Sequence, residues 1–163
     1  VLLKGVNDDV DVLNKLYDTF RYLGIESHYL FHCIPMQGMS HHRTSVQRGL
    51  EIASQITNSG GVSGRAKPMF TLMTDLGKIT LYHGTVLERN TNNEILIQSH
   101  YTVEDFKYRN HSWQLPKSAF VDGNGFLRVW YPDGNDDDNN NGSTLDKRDV
   151  DHYFSIPINR INR

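Results

Sequence analysis

Apolar residues in the first half of the chain alternate between short contiguous runs and segments in which they recur every three or four positions. Contiguous runs are typical of buried strands, whereas the wider spacing is typical of amphipathic helices. The pattern therefore predicts strand, helix, strand, helix and strand, which favours parallel strands joined by right-handed helical crossovers. The predicted strands cover residues 1–4, 25–33 and 69–73, and the two helices lie between them.

Capping signals define the ends of both predicted helices. Asp8 stands before the first helix, where its carboxylate can accept from free backbone N–H groups, and Gly24 follows the last turn. Thr44 and Gln47 have the spacing of a capping box at the start of the second helix, which Gly60-Gly61 ends.

The apolar pattern changes after residue 78 to short strand-like runs separated by turns. Asn92-Asn93 marks one turn, and Asp122-Gly123-Asn124-Gly125 between two apolar segments is a strong hairpin signal. The pattern assigns no element to residues 101–115. We therefore predict a β-rich extension over residues 83–131.

Residues 132–163 are rich in Asp, Asn and Gly, which bury too little surface to offset the entropy of ordering. This composition predicts an acidic, Asn-rich flexible tail, in which residues 153–158 could add a last short strand. Residues 137–142 match the first half of a calcium-binding loop, but Arg148 stands where that loop requires a bidentate glutamate. A solvated linker is therefore the preferred interpretation.

The strands of residues 1–82 fit either a small open sheet or the last part of a (β/α)8 barrel. In both architectures the chemistry lies at the carboxyl ends of the strands, here residues 5–8, 32–34 and 73–78. The chain begins with Val1 inside a predicted strand, so we expect it to be a fragment of a larger protein.

Composition narrows the possible partners. The net charge is −2 and no basic stripe stands out, so we expect no nucleic acid partner. No apolar run approaches the roughly 20 residues that span a bilayer, so we expect no membrane partner. Cys33 is the only cysteine, which excludes an internal disulfide and a self-contained iron–sulfur site. A reducing, cytoplasmic location fits these features.

Lys78 is the candidate catalytic residue, because it follows a buried strand and a turn containing Gly77. A lysine in desolvated surroundings can lose its proton and attack an aldehyde to form a Schiff base. The ordinary alternative is a solvated surface lysine after a turn.

A set of sequence pieces in the first half of the chain occurs in the order and spacing of a known family. The sequence resembles the C-terminal half of lysine 2,3-aminomutase-type radical S-adenosylmethionine enzymes. The pieces are Val1-Leu2-Leu3-Lys4-Gly5-Val6-Asn7-Asp8, Tyr29-Leu30-Phe31-His32-Cys33, His42-Arg43-Thr44, Gly49-Leu50-Glu51-Ile52 and Gly77-Lys78-Ile79.

The resemblance implies an α/β fold, the C-terminal part of a partial (β/α) TIM-like barrel over residues 1–82. It implies three cofactors: pyridoxal phosphate, S-adenosylmethionine and a [4Fe-4S] cluster. In the family a 5′-deoxyadenosyl radical takes a hydrogen from an amino acid bound to pyridoxal, and the amino group migrates to the neighbouring carbon. The cysteine triplet for the cluster lies N-terminal to the resembling region, so the metal ligands are expected outside this chain.

Residue by residue, the resemblance places Lys78 where the family keeps the lysine that binds pyridoxal phosphate. Asn7, Phe31 and His32 are further candidates for cofactor binding, with His32 expected to line a pocket. The partners it implies are a small amino-acid substrate, the missing N-terminal half of the barrel and a possible second copy of the chain.

The sequence departs from the family at two points that bear on the site. The glycine run before the lysine is shortened to Leu76-Gly77, which could move Lys78. The two aspartates that receive the distal ammonium of lysine correspond to Ile34 and Met73, neither of which pairs with a cation. The substrate is therefore expected to be an amino acid other than lysine, and Asp75 is the remaining candidate carboxylate of the substrate pocket.

Two alternatives stay open. A histidine metal site is conceivable, although no carboxylate or second cysteine completes a recognised ligand spacing. Its candidate ligands are His28, His32, His41 and His42. The whole chain could instead be a non-catalytic module that binds a partner through its β-rich surface.

Overall fold

The computed structural model describes residues 1–62, 67–82 and 84–136. These residues form a mixed α/β fold with two sheets, as the alternating pattern predicts. The helices of the described part are α1 (Val10–Tyr22), α2 (Val46–Asn58) and α3 (Val103–Arg109), and its strands are β1 (Tyr29–Phe31), β2 (Met69–Thr74), β3 (Gly77–Thr80), β4 (Val86–Arg89), β5 (Glu94–Gln98), β6 (Ala119–Val121) and β7 (Leu127–Pro132). None of the helices in these ranges is long and apolar enough to cross a bilayer.

The first sheet has the strand order β1-β2-β3. β1 and β2 are parallel, and β3 folds back antiparallel to β2. The strand expected at residues 1–4 is reduced to a single parallel bridge between Leu2 and His32. This bridge lies next to the end of β1, on the edge opposite β2, where a βαβαβ unit places its first strand. The partial (β/α) TIM-like barrel stays a prediction.

Both long helices begin one residue later than the capping signals predict. Asp9 caps α1 by accepting from the N–H groups of Asp11 and Val12, whereas Asp8 accepts from Gly5 within the preceding loop. Ser45 caps α2 by accepting from the N–H of Arg48. Each pair of neighbours contains two good capping residues, so tertiary contacts decide between them.

The two faces of the first sheet have different surroundings. Phe70 lies on the face covered by α2, whose Gly49 packs against its ring. Because successive side chains of a strand alternate between faces, Met69 and Met73 point to the opposite side. The pairing register adds Tyr29 and Lys78 to that side. Lys78 therefore lies on the face of the sheet opposite α2.

The second sheet has the strand order β4-β5-β7-β6 and is antiparallel throughout. The predicted hairpin is confirmed, with Asp122 accepting from the N–H groups of Asn124 and Phe126. Buried residues of both sheets form one hydrophobic cluster, so the β-rich extension packs directly on the first half of the chain.

Residues 133–136, the first part of the predicted tail, make defined contacts with the start of α2, and the rest of that predicted tail lies outside the described residues. Asp133 accepts from the backbone N–H of Val46 at 2.7 Å, and Asp136 accepts from that of Ser45 at 2.7 Å. These N–H groups have no partner within α2, so the carboxylates satisfy the start of the helix and complement its dipole. The candidate calcium loop and the possible last strand lie outside the described residues.

The packing of Gly49 on Phe70 predicts that Gly49→Ala destabilises the protein by about 1–3 kcal/mol. An added Cβ would lie 2.1 Å from Cζ of the Phe70 ring, which has no room to retreat in the core. Chemical denaturation of the complete protein measures this loss as a lower midpoint. Gly61→Ala is the control, since its Cβ would approach only Ser59 Oγ, at 3.4 Å. Equal stability of the two variants would contradict the proposed contact.

Candidate functional site

Lys78 is the second residue of β3, directly opposite Met73 on β2. The turn that precedes it consists of Asp75 and Leu76, and Gly77 takes a positive φ of 90°. Lys78 thus lies on β3, beside the carboxyl end of β2, and does not extend beyond that end. Its side chain is exposed, and Nζ lies 4.9 Å from the centroid of the Tyr29 ring, whose electron-rich face attracts an ammonium group.

Lys78 lines two adjoining grooves. The larger groove, of about 820 Å³, lies between β3 and α3, and the smaller, of about 460 Å³, lies between β3 and the segment after β5. His100 and Tyr101 line both grooves together with Lys78. Both volumes fall in the range of small-molecule sites.

The side chains that line the smaller groove suit pyridoxal phosphate. Tyr29, Tyr82 and Tyr101 offer aromatic walls to a flat ring. Lys78 supplies a primary amine, the group that bonds to an aldehyde, and His100 supplies an imidazole. The residues present therefore fit a flat, anionic aldehyde.

His32 lies in the core instead of on a pocket wall. Its side chain has no exposed surface, Nε2 is 2.8 Å from the Thr44 carbonyl oxygen, and Nδ1 is 2.8 Å from the Tyr131 hydroxyl. Because a carbonyl only accepts, Nε2 carries the hydrogen and Tyr131 donates to Nδ1. Burial lowers the pKa of His32, which favours this neutral form. A cofactor contact would require His32 to lose one of these partners.

The other predicted cofactor residues also lie away from the grooves. Asn7 accepts from the N–H of Leu3 and donates to the carbonyl of Val1, so its amide shapes the first loop. Phe31 is half-buried, with its ring 5.2 Å from that of Tyr29. None of the residues Asn7, Phe31 and His32 lines either groove beside Lys78.

The three predicted substrate residues are dispersed. Met73 is the cross-strand neighbour of Lys78 on the same face. Ile34 is 39% exposed in the loop after β1. Asp75 accepts from the Ser118 hydroxyl, which ties the turn to the second sheet. Of the three, the structure brings only Met73 next to Lys78.

Sequence reasoning missed the residues that face Lys78 from the second half of the chain. They come from residues 100–109, where the pattern assigns no element, because α3 has too few residues for a clear apolar period. The available signal is the spacing of Thr102 and Asp105, which form a capping box at the start of α3.

The candidate histidine metal site gains no support from the described part of the chain, which holds no group of three potential metal ligands. His41 and His42 have ring centroids 3.9 Å apart, but His28 packs against Tyr29 and both nitrogens of His32 are engaged.

Over about half its length the chain is similar to L-lysine 2,3-aminomutases. It is 33% identical over 98 residues, 59% of this chain, to the protein of Bacillus subtilis. It is 39% identical over 72 residues, 44% of this chain, to that of Methanococcus maripaludis, and 35% identical over the same length to that of Clostridium subterminale. These similarities confirm the family resemblance indicated by the sequence motifs.

The chain spans only 20%, 16% and 17% of the lengths of these three relatives. No protein-family model matches it. The similarity therefore supports an aminomutase-family origin for the matched region. The activity of a whole enzyme is only a proposal for this chain.

The burial of His32 predicts that the free energy of unfolding decreases as the pH is lowered. A folded pKa below the ordinary value of about 6.5 means that the unfolded state binds the proton more tightly. The stabilising contribution is complete above pH ~6.5 and is lost as the pH falls through the folded pKa. Arg43 adds to the lowering, whereas the Thr44 carbonyl, Asp133 and Asp136 oppose it.

Chemical denaturation at several values between about pH 7 and pH 5 measures the slope of the free energy of unfolding against pH. We expect His32→Gln to be less stable than the native protein at the upper pH and to lose less stability on acidification. His111→Gln, at an exposed position, serves as the control and should keep the native slope. An unchanged slope in His32→Gln would rule out His32 as its source.

Proposed function

We propose that this chain is the pyridoxal-anchoring part of a radical S-adenosylmethionine aminomutase, an isomerase that moves an amino group between adjacent carbons of an amino acid. The observation that carries the proposal is that Lys78, which the resemblance assigns to the family's pyridoxal-binding position, lines two adjoining grooves with aromatic walls. The similarity of the surrounding half of the chain to L-lysine 2,3-aminomutases supports it.

Three cofactors follow from the proposal: pyridoxal phosphate, S-adenosylmethionine and a [4Fe-4S] cluster. Pyridoxal phosphate supplies a conjugated ring that spreads an unpaired electron formed beside nitrogen. A cluster requires several thiolate ligands, and the chain has the single Cys33. The cluster ligands therefore belong to an N-terminal half of the barrel, which is the partner that the proposal requires.

Lys78 and its neighbours have distinct roles in this proposal. Lys78 would hold pyridoxal phosphate through its primary amine, the group that bonds to an aldehyde. Tyr29 orients the amine over its ring. Met73 and Ile34 carry no charge that could bind a distal ammonium, so the proposed substrate is an amino acid with an uncharged side chain. A cytoplasmic location remains a prediction.

Pyridoxal phosphate added to the complete protein is expected to give an absorbance near the visible edge, which reports a covalent bond to a lysine. Lys78→Ala should abolish it, because the amine that bonds to the aldehyde is removed. Lys117→Ala, at an exposed lysine outside both grooves, should leave it unchanged. Retention of the absorbance in Lys78→Ala would assign the anchor to another lysine.

The second candidate is a non-catalytic module that binds a partner through its β-rich surface. The observation in its favour is the edge strand β6, whose Phe120 and Val121 are 39% and 44% exposed. Formation of 5′-deoxyadenosine from S-adenosylmethionine by the reduced complete protein separates the two candidates. The enzyme requires this product, whereas the module forms none.

A further inference from the structure

The two grooves beside Lys78 differ in charge. The larger groove is lined by Glu104, Asp105 and Arg109, so its walls carry both signs. The described lining of the smaller groove contains no carboxylate, and its ionisable nitrogen groups are Lys78 and His100. An anionic group in the smaller groove therefore meets no like charge on that lining.

The amine of Lys78 is directed toward the smaller groove. Tyr29 lines the smaller groove but not the larger, and Nζ lies over the Tyr29 ring. A ligand bonded to this amine would therefore start beside Tyr29, with the walls of Tyr82 and Tyr101 available to its ring.

The serine and threonine hydroxyls that line the smaller groove each have a hydrogen-bond partner within the protein. Ser99 donates to the Leu127 carbonyl, and Thr85 accepts from the N–H of Tyr82. Thr80 shares a hydrogen bond with Thr71 of the neighbouring strand. The imidazole of His100 is the better candidate to receive an anion, because it is exposed, lines both grooves together with Lys78 and carries up to two N–H donors.

We propose that His100 binds the phosphate of pyridoxal phosphate in the smaller groove, next to the aldehyde carbon held by Lys78. This assignment rests on the proposed function of Lys78. The aldehyde and the phosphate-bearing substituent occupy adjacent carbons of the pyridine ring, so neighbouring side chains can reach both. An imidazole N–H donates to a phosphate oxygen in either protonation state and does so more strongly when charged.

The first experiment compares pyridoxal phosphate with pyridoxal, which has the same aldehyde and no phosphate. We expect His100→Gln in the complete protein to weaken the affinity for pyridoxal phosphate about tenfold, in line with the loss of one charge-assisted hydrogen bond. Its affinity for pyridoxal should stay unchanged. His111→Gln is the matched control and should alter neither affinity. Equal weakening of both ligands, or of neither, would overturn the assignment.

The second experiment uses inorganic phosphate alone and does not depend on Lys78 bonding. Titration followed by the histidine ring signals in NMR should shift the His100 resonance and leave that of His111 in place, in the native protein and in Lys78→Ala alike. A His100 resonance that does not respond overturns the assignment. If phosphate shifts His100 but neither aldehyde bonds to Lys78, the anion site stands and the proposed function fails.

Discussion

The described part of the chain depends on a set of buried and partly buried polar contacts at the start of α2, which we call the polar clasp. It consists of Arg43, Ser45, Arg89, Asp133 and Asp136. The Arg43 guanidinium donates to the carbonyls of Cys33, Pro132 and Asp133, and the Asp133 carboxylate accepts from the backbone of α2 and from Arg89. Charges at low exposure are tolerated only when they are paired in this way, so the segment after β7 is held against the start of α2 in one arrangement.

The clasp also determines how closely the second sheet approaches the first. A Cβ on Gly134 would lie 1.8 Å from the Thr44 carbonyl oxygen, so the backbone after β7 passes in direct contact with the start of α2. β7 pairs along its length with β5, and the segment after β5 carries His100 and Tyr101. The grooves beside Lys78 form between this segment and the first sheet. They are therefore a product of packing the second half of the described chain against the first sheet, which alone does not contain them.

The sequence predicts those helices, strands and turns whose formation depends on residues close together in the chain. The apolar stripes of α1 and α2, the turn at Asp122 and the order of the first strands are confirmed, because each depends on residues close together in sequence. The acidic composition around Asp133 predicts a solvated tail, because acidic segments are usually solvated. Its partners Val46 and Arg89 lie 87 and 44 residues away.

The residues of the candidate site also differ in how far the sequence predicts them. The resemblance identified Lys78 from a short motif, but the chemistry around it comes from positions that carry no comparable signal. His32 shows the converse case: a histidine at the end of a strand has the placement of a pocket residue, and its burial becomes apparent only once Tyr131 is brought across from β7. The burial of a polar residue depends on what packs over it, which a single sequence does not encode locally.

The short turn before Lys78 determines which face of the sheet carries the amine. Thr74 pairs with Gly77 across a turn of two residues, and the Thr74 hydroxyl accepts from the N–H of Leu76 and donates to the carbonyl of Gly77. Side chains alternate along β3, so a shift of one residue in this register would move Lys78 to the face that packs under α2. There an ammonium group would be buried without a partner. The short turn at Asp75 and Leu76 thus places the lysine by hairpin register, which gives its amine access to the grooves.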